Sequence, residues 1–392
     1  MLPGPLPGEV LVTAHLCHPR PGANDNGSGV AAALESARVL AELARSGALP
    51  QERRSIRWLW MPEFTGTYAW LARRPEAADV TIAALNLDMV GEDQTQCASV
   101  QQLERPPHFA ASFAEELVAA VRAQAWTHPE PFAHEEVRYG GGSDHAVWLD
   151  PGVGVPCPML IQWPDRYYHS NLDGPERCDV RSLAHAAGCG AAYALSVAAP
   201  DAALVRDLLA AIVARARRQL RLALDAAQPA RAARAARFAA EQGLASVARL
   251  VRGLDPTHPA LAAWRPLLTE AADALQGHWD AEIAPVLPGE PPIGAPGPVP
   301  VRLQSTPLAP MRTHQAGWSA LSPEARGGWA ALEGSIAGGM VALEVAWCAA
   351  DGRRGAREIA ALVRDEGHDV SDSDIAAFFT LAVELGAASW RE

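Results

Sequence analysis

Five segments in the first half of the chain follow one pattern, in which a strand-forming run leads to an acidic or imidazole side chain. The runs are EVLVTAH, SIRWLWM, TIAALNL, EVRY and MLIQW, and the side chains are His15, Glu63, Asp88, the trio Ser143, Asp144 and His145, and His169. Ligands of open α/β sheets bind outside the carboxyl ends of the strands. We therefore expect these side chains, although far apart in sequence, to converge at one edge of a sheet.

The first of these segments, HLCHPRPGANDNGSGV, has the composition of a metal-binding loop. It places His15, His18 and Asp25 between a strand and an Ala-rich helix. Neutral imidazole and carboxylate are ligands of catalytic zinc, and the neighbouring glycines allow close approach to an ion. Taken alone, the segment also fits a polar loop with incidental histidines, but the further strand ends favour a metal site. We prefer His15 over its rival His18 as the ligand, because His15 directly ends the strand.

The strand-like runs alternate with predicted helices over 28–46, 109–126 and 180–197. This alternation indicates a mostly parallel or mixed sheet that is covered by helices. The predicted fold class for residues 1–200 is therefore α/β, with a mixed sheet flanked by helices.

The second half of the chain predicts helices and a linker. Residues 201–285 carry Leu and Ala at helical spacing and predict a small antiparallel bundle. Its arginine stripe is expected to face solvent and comprises Arg231, Arg234 and Arg237. Residues 286–310 are rich in proline and predict a semi-rigid linker.

Residues 311–392 predict three helices and a closing strand, an order that resembles a winged-helix module. Such modules often bind DNA, but this one carries acidic residues that would repel phosphate. They are Asp365, Glu366, Asp369, Asp372 and Asp374. The formal net charge of the whole chain, −12, also argues against a general nucleic-acid surface. We therefore expect a protein-interaction or dimerisation module.

Composition excludes several other functions. All 33 basic residues are arginine, which excludes Schiff-base chemistry, a lysine general base and a Walker-type phosphate loop. The six cysteines lack CxxC spacing and indicate neither a zinc ribbon nor a disulfide framework. The sequence shows neither a signal-peptide pattern nor an apolar run of membrane-span length, so the cytoplasm is the expected compartment.

Together, the segments resemble the co-catalytic di-zinc aminopeptidases, a group that also contains glutamate carboxypeptidases and the transferrin-receptor ectodomain. The resemblance spans about residues 9–198, and PEFTGTYAWL is most similar to an aminopeptidase-like subgroup with a winged-helix module. The segment GGGSDH resembles the one beside the substrate pocket. The resemblance implies Asp25 as the metal-bridging aspartate before an often cis peptide to Asn26, His15, Asp88 and His169 as further metal ligands, and Asp173 as a supporting partner.

Two departures from the family pattern lie next to these ligands. The family usually has adjacent glutamates, the first a general base and the second a metal ligand, whereas Glu63 stands alone before Phe64. Glu63 is therefore a candidate for either role, and its place as the first glutamate favours the base. Cys17 stands where the family usually has an orienting aspartate, and a free cysteine is commonly just a buried apolar residue.

The resemblance implies a zinc-dependent aminopeptidase that uses two ions to remove N-terminal residues from peptides. Two alternatives are a binding or regulatory protein on a peptidase scaffold, and a zinc amidohydrolase acting on amino-acid or sugar conjugates. The expected partner is a peptide or conjugate substrate, with neither nucleic acid nor membrane. Only 14 residues precede His15, whereas relatives carry more sheet there, so we also expect self-association through an open edge, or a start upstream of Met1.

Overall fold

The structure is a computed structural model that describes residues 1–18, 22–287 and 297–391. Its first half contains a six-stranded sheet with the strand order β2-β1-β3-β6-β4-β5. The strands are β1 Leu6–His15, β2 Arg54–Met61, β3 Thr81–Leu87, β4 Val100–Glu104, β5 His134–Val137 and β6 Met159–Trp163. Only the β4–β6 pairing is antiparallel, so the sheet is mixed and the predicted α/β fold class is confirmed.

Both faces of the sheet are buried, which explains why its central strands read as continuous apolar runs. In β1, Val10 and Val12 point into the larger core, whereas Leu11 points into a smaller core that contains Trp148. At the β2 edge, Leu2 pairs with Ile56 through two backbone hydrogen bonds. The self-association inferred from an open edge stays a prediction.

The helices of this half alternate with the strands in sequence, as predicted, and α7 follows the last strand of the sheet. They are α1 Gly29–Arg45, α2 Thr65–Arg73, α3 Ala77–Val80, α4 Gln94–Cys97, α5 Phe113–Ala125, α6 His145–Leu149 and α7 Val180–Ala198. The three longest match the predicted helical segments closely. Helix α7 packs between α1 and α5 and covers the larger core. The carboxyl ends of the parallel strands are thereby left to loops.

The predicted helical bundle consists of α8 Ala202–Leu224, α9 Pro229–Ser246 and α10 Pro259–His278. Its apolar residues, such as Leu208 and Leu244, join the larger core beneath the sheet. The bundle therefore shares its core with the α/β part instead of forming one of its own.

The C-terminal unit contains β7 Val299–Arg302, α11 Pro310–Thr313, α12 Gln315–Ala320, α13 Pro323–Ser335, α14 Gly339–Ala349, α15 Ala356–Asp365, α16 Asp372–Glu384 and β8 Ala388–Arg391. Strand β7 pairs antiparallel with β8, so this unit begins within the predicted linker 286–310, of which residues 288–296 lie outside the described residues. The winged-helix assignment stays a prediction. No single helix in the described ranges is long and apolar enough to cross a membrane; α13 and α14, bent by 105°, pass only as a pair.

Two expectations about surface charge are wrong at particular residues, for the same reason. Asp365, expected on an acidic surface, is 3% exposed and pairs with Arg231 and with Arg234, 3.5 Å away. These arginines were expected to face solvent. Glu366 accepts a hydrogen bond from the backbone N–H of His108 at 2.7 Å. Opposite charges from distant parts of the chain therefore hold the C-terminal unit in place.

A further ion pair joins the C-terminal unit to the α/β part. Arg302 lies 2.6 Å from Asp150, and both side chains are buried. Burial raises the pKa of Asp150, and the Arg302 guanidinium opposes that shift. Removing one partner of such a pair leaves an uncompensated buried charge. The interface is therefore charge-matched as well as apolar.

Candidate metal centre

Asp25 lies at the centre of the predicted site. Its Oδ1 atom is 3.2 Å from His15 Nε2, and its Oδ2 atom is 3.1 Å from His169 Nε2. Asp88 Oδ1 is 3.3 Å from the same His15 nitrogen. The structure thus brings together the ends of β1, β3 and β6, as the strand-end pattern predicted.

His18 also reaches this centre, with its Nε2 atom 3.4 Å from Asp25 Oδ2. The ligand atoms form two triads, each within 4.8 Å: His15, Asp25 and Asp88, and His18, Asp25 and His169. The two carboxylate oxygens of Asp25 face different triads. The sequence treated His15 and His18 as alternatives for one ligand position. In the structure they occupy two positions, because they face different oxygens of the Asp25 carboxylate.

The backbone of the Asp25 loop is held from two sides. Asp173 accepts hydrogen bonds from the N–H groups of Asn24 at 2.8 Å and Asp25 at 3.0 Å. The peptide between Asp25 and Asn26 is cis, as the resemblance implies. A Cβ at Gly22 would overlap the backbone oxygen of Asp25, so the tight approach requires glycine there. Asp173 thus supports the loop that carries Asp25.

The side chain of Asn26 ties the same loop to the end of β3. Its Oδ1 accepts from the N–H groups of Gly29 and Met89, and its Nδ2 donates to the carbonyl oxygen of Leu87. Asp88 lies between these two anchor points. Asn26 therefore fixes the loop that carries Asp25 to the end of β3, which carries Asp88.

The ring of His15 is oriented by its own loop. Its Nδ1–H donates to the carbonyl oxygen of Cys17 at 3.1 Å, which leaves Nε2 to face the carboxylates. Cys17 is exposed, so the expectation of a buried apolar cysteine is wrong. Its sulfur accepts a hydrogen bond from the N–H of Glu63 at 3.1 Å. Cys17 thus joins the loops that carry His15 and Glu63.

Carboxylates dominate the electrostatics around Asp25. Burial alone would lower the pKa of His15, but Asp25, Asp88 and Glu63 together raise it to about 12. Burial likewise opposes ionisation of Asp25, but His15 and the charges of His18 and His169 lower its pKa. The carboxylates therefore favour positive charge at this point of the site, which is the charge that a divalent cation would supply.

Asp88 is positioned by the glycine-rich segment. Ser143 donates to Asp88 Oδ2 at 2.6 Å and accepts from the side chain of Asn86 at 2.9 Å. Asp88 Oδ1 is buried and, within the described ranges, has only the ion-pair contact with His15 Nε2 at 3.3 Å instead of a well-formed hydrogen bond. His145, two residues after Ser143, lies 2.7 Å from Glu104, a β4 residue that sequence reasoning missed. One oxygen of Asp88 is thus fixed and the other is available for a cation.

Glu63 lies close to the triads but belongs to neither of them within the described residues. Asp144 holds its loop by accepting hydrogen bonds from the N–H of Phe64 at 2.8 Å and the hydroxyl of Thr67 at 2.7 Å. Burial raises the pKa of Glu63 to about 7; the charge of His15 opposes this rise, and Asp88, Asp144 and Asp25 add to it. Glu63 is therefore a buried carboxylate whose ionisation responds to the charges at the triads.

A third cluster lies apart from Asp25 and was not predicted. Glu92, Cys97 and Asp165 are buried, and their ligand atoms lie within 4.8 Å of one another. Burial and Asp165 raise the pKa of Glu92 to about 8. The sequence signal was weak, since Glu92 and Cys97 are separated from Asp165 by three strands.

The triads line a cavity of about 1540 Å³. Glu63 and the glycines Gly140, Gly141 and Gly142 also contribute to its wall. The chemistry of the donor set fits zinc, because each triad combines imidazole with carboxylate. The shared aspartate fits a pair of ions that both contact one carboxylate.

Comparison with known sequences finds one family. A sequence model of peptidase family M28 matches residues 1–194. No curated protein matches the chain.

Several solved structures are similar to part of the chain. One is the zinc aminopeptidase from Bacillus subtilis, with 23% identity, covering 51% of this chain and 49% of that one, at a TM-score of 0.42. Another is the aminopeptidase from Aneurinibacillus sp. strain AM-1, with 21% identity, covering 51% and 47%, at a TM-score of 0.40. A glutaminyl cyclase from an Acidobacteriales bacterium shares 18% identity, covering 49% and 69%, at a TM-score of 0.35. The chain spans about half the length of the two aminopeptidases it matches.

The matched region contains the whole mixed sheet and all members of both triads. Family and fold therefore agree with the strand-end pattern from which the site was predicted. Residues 1–194 of this chain belong to peptidase family M28.

Proposed function

We propose that the protein is a zinc-dependent aminopeptidase with two metal ions. The observation that carries this proposal is the position of Asp25, whose two oxygens lie 3.1–3.4 Å from three imidazole nitrogens. His15, Asp25 and Asp88 would hold one ion, and His18, Asp25 and His169 the other. His18 thereby takes the ligand place that the family gives to the second glutamate, which is Phe64 in this chain.

The residues around the triads would divide the remaining work. Zinc, when bound, supplies Lewis acidity at the scissile carbonyl and makes water nucleophilic at neutral pH. Glu63 would accept a proton from the attacking water and deliver it to the leaving amine. Asp144 and Cys17 position the loop of Glu63, and Ser143 positions Asp88. Cations at the triads would favour the ionised form of Glu63 that a base requires.

We expect the purified protein to hydrolyse leucine or alanine p-nitroanilide and to lose this activity on dialysis against a chelator. Zinc added back should restore it, because the ligands remain in the protein. The N-acetylated anilides should not be cleaved, since an aminopeptidase requires a free α-amine. Release of nitroaniline, followed by absorbance, measures all three results. Activity that survives removal of the metal would contradict the proposal, and cleavage of the acetylated substrate would favour an amidohydrolase.

We expect His18→Ala to lower the zinc content from about two ions to about one per chain. The second triad would keep only Asp25 and His169, and loss of a direct ligand should weaken its affinity by roughly a hundredfold or more, beyond the effect of a supporting residue. Elemental analysis after gel filtration gives the stoichiometry. His134→Ala is the matched control, because His134 is an exposed imidazole outside both triads. Unchanged zinc in His18→Ala would remove His18 from the ligand set.

A further inference from the structure

The cavity that contains the triads extends beyond the family domain. Part of its wall comes from the C-terminal unit, outside the residues that the M28 sequence model matches. The apolar residues that this unit contributes are Leu308, Met311, Trp318, Trp329, Met340 and Phe378. The cavity therefore has a polar part, formed by the triads, and an apolar part, formed by the C-terminal unit.

We propose that the C-terminal unit forms the specificity wall of this chamber and binds an aromatic or large aliphatic side chain of a short substrate. The inference rests on the proposed function for the chemistry at the metal end. It adds the class of substrate, namely peptides or amino-acid conjugates with a bulky apolar group near the scissile bond.

The chemistry of the wall supports an apolar occupant. Met311 and Met340 are 69% and 62% exposed, although burial of a methionine side chain is favourable. Both contribute to the same cavity as the aromatic rings of Trp318 and Trp329. Flexible, polarisable methionines beside aromatic rings adapt to apolar ligands of varied shape. The exposed side chains are therefore suited to a ligand that buries them.

The position of the wall is fixed before any ligand binds. Arg302 and Asp150 form a buried ion pair between the two parts of the chain. Nearer the chamber, the hydroxyl of Tyr139 lies 3.4 Å from Glu344 on α14. A preorganised wall spends little binding free energy on ordering, so its apolar contacts contribute to affinity and selectivity.

The size of the chamber sets the scale of the substrate. Pockets for drug-sized ligands measure roughly 300–1,000 Å³, and this cavity measures about 1540 Å³. It therefore has room for a substrate of a few residues that contacts the triads and the apolar wall together. The continuity of the cavity from Asp25 to Met340 is what links specificity to catalysis.

The test compares the double variant Met311→Ala/Met340→Ala with Leu303→Ala in the full, zinc-loaded chain. Leu303 is 61% exposed on the same unit but does not line the cavity, so its change is the matched control. Calorimetry measures the binding of phenylalanine amide and of glycinamide. We expect the double variant to bind phenylalanine amide about tenfold more weakly, the scale of a lost apolar contact, with glycinamide and the control unchanged. Circular dichroism verifies that the variants are folded.

Hydrolysis provides the second readout and separates this inference from the proposed function. The preference for leucine over alanine anilide, taken as the ratio of kcat/KM, should fall about tenfold in the double variant. Hydrolysis with an unchanged preference and unchanged binding would overturn the wall while the proposed function stands. Loss of binding to phenylalanine amide in a protein that hydrolyses nothing would uphold the wall and overturn the proposed function. An unaltered protein that binds glycinamide as well as phenylalanine amide would also overturn the inference.

Discussion

Asp25→Ala is expected to abolish tight zinc binding at both triads and, with it, all hydrolysis. Asp25 is the only residue that belongs to both of these groups within the described ranges, and its two oxygens face different imidazoles. Loss of a supporting residue alone commonly lowers metal affinity by about 10–100-fold. A shared direct ligand should therefore cost more at each site, so that gel-filtered protein carries almost no zinc.

The control for this change is Asp201→Ala, which removes an exposed aspartate that caps α8 and belongs neither to the triads nor to the cavity wall. It should keep full zinc content and activity, apart from a small loss of stability typical of helix caps. Elemental analysis of both variants after chelation and zinc reloading gives the comparison. One zinc retained in Asp25→Ala would show that the two triads do not share this ligand.

Glu63→Gln should leave both zinc ions in place and lower kcat by a hundredfold or more. The amide has the shape of the carboxylate but cannot accept the proton of water, and acid–base catalysis commonly contributes about 10²–10⁴-fold. Because Glu63 lies outside both triads among the described residues, the change should not disturb the ligands. Zinc stoichiometry and turnover are to be measured on the same sample.

Glu76→Gln supplies the matched comparison, since Glu76 is a half-exposed carboxylate that pairs with Arg74 away from the cavity. Its turnover and zinc content should equal those of the unaltered protein. If Glu63→Gln loses zinc together with activity, Glu63 is a ligand and another group must move the proton.

The sequence predicted which side chains lie together because strand ends in this fold converge by topology, whereas metal binding at this place stays a prediction. Once β1, β3 and β6 are neighbours, their carboxyl ends bring His15, Asp88 and His169 to one edge without further information. The resemblance added the bridging position of Asp25. These inferences needed only strand order and residue type.

The part played by His18 could not be predicted in the same way. It depends on how the loop after β1 folds back, which places His15 and His18 on different oxygens of Asp25. In sequence the two histidines look like competitors for one position. The replacement of the second glutamate by Phe64 was the available signal, since it left a vacancy in the family pattern.

Contacts between segments that are distant in sequence also could not be predicted from the sequence. The acidic residues near Asp365 and the arginines near Arg231 each indicated a solvated surface when considered alone, and only the tertiary fold pairs them. The strand β7 escaped notice within its proline-rich context, because its partner β8 lies about ninety residues further along the chain.

The buried pair of Arg302 and Asp150 shows that the evolutionary unit of this chain and its folding unit are not the same. The evolutionary unit is residues 1–194, the range that the M28 sequence model matches. The folding unit extends beyond this range, because the C-terminal unit packs against it. A chain cut there would remove the Arg302 cation from Asp150 and would uncover Phe109 and Tyr139, which pack against the C-terminal core. The evolutionary unit thus ends earlier in the chain than the folding unit. A graft of the M28 part onto another protein therefore has to include the C-terminal unit as well.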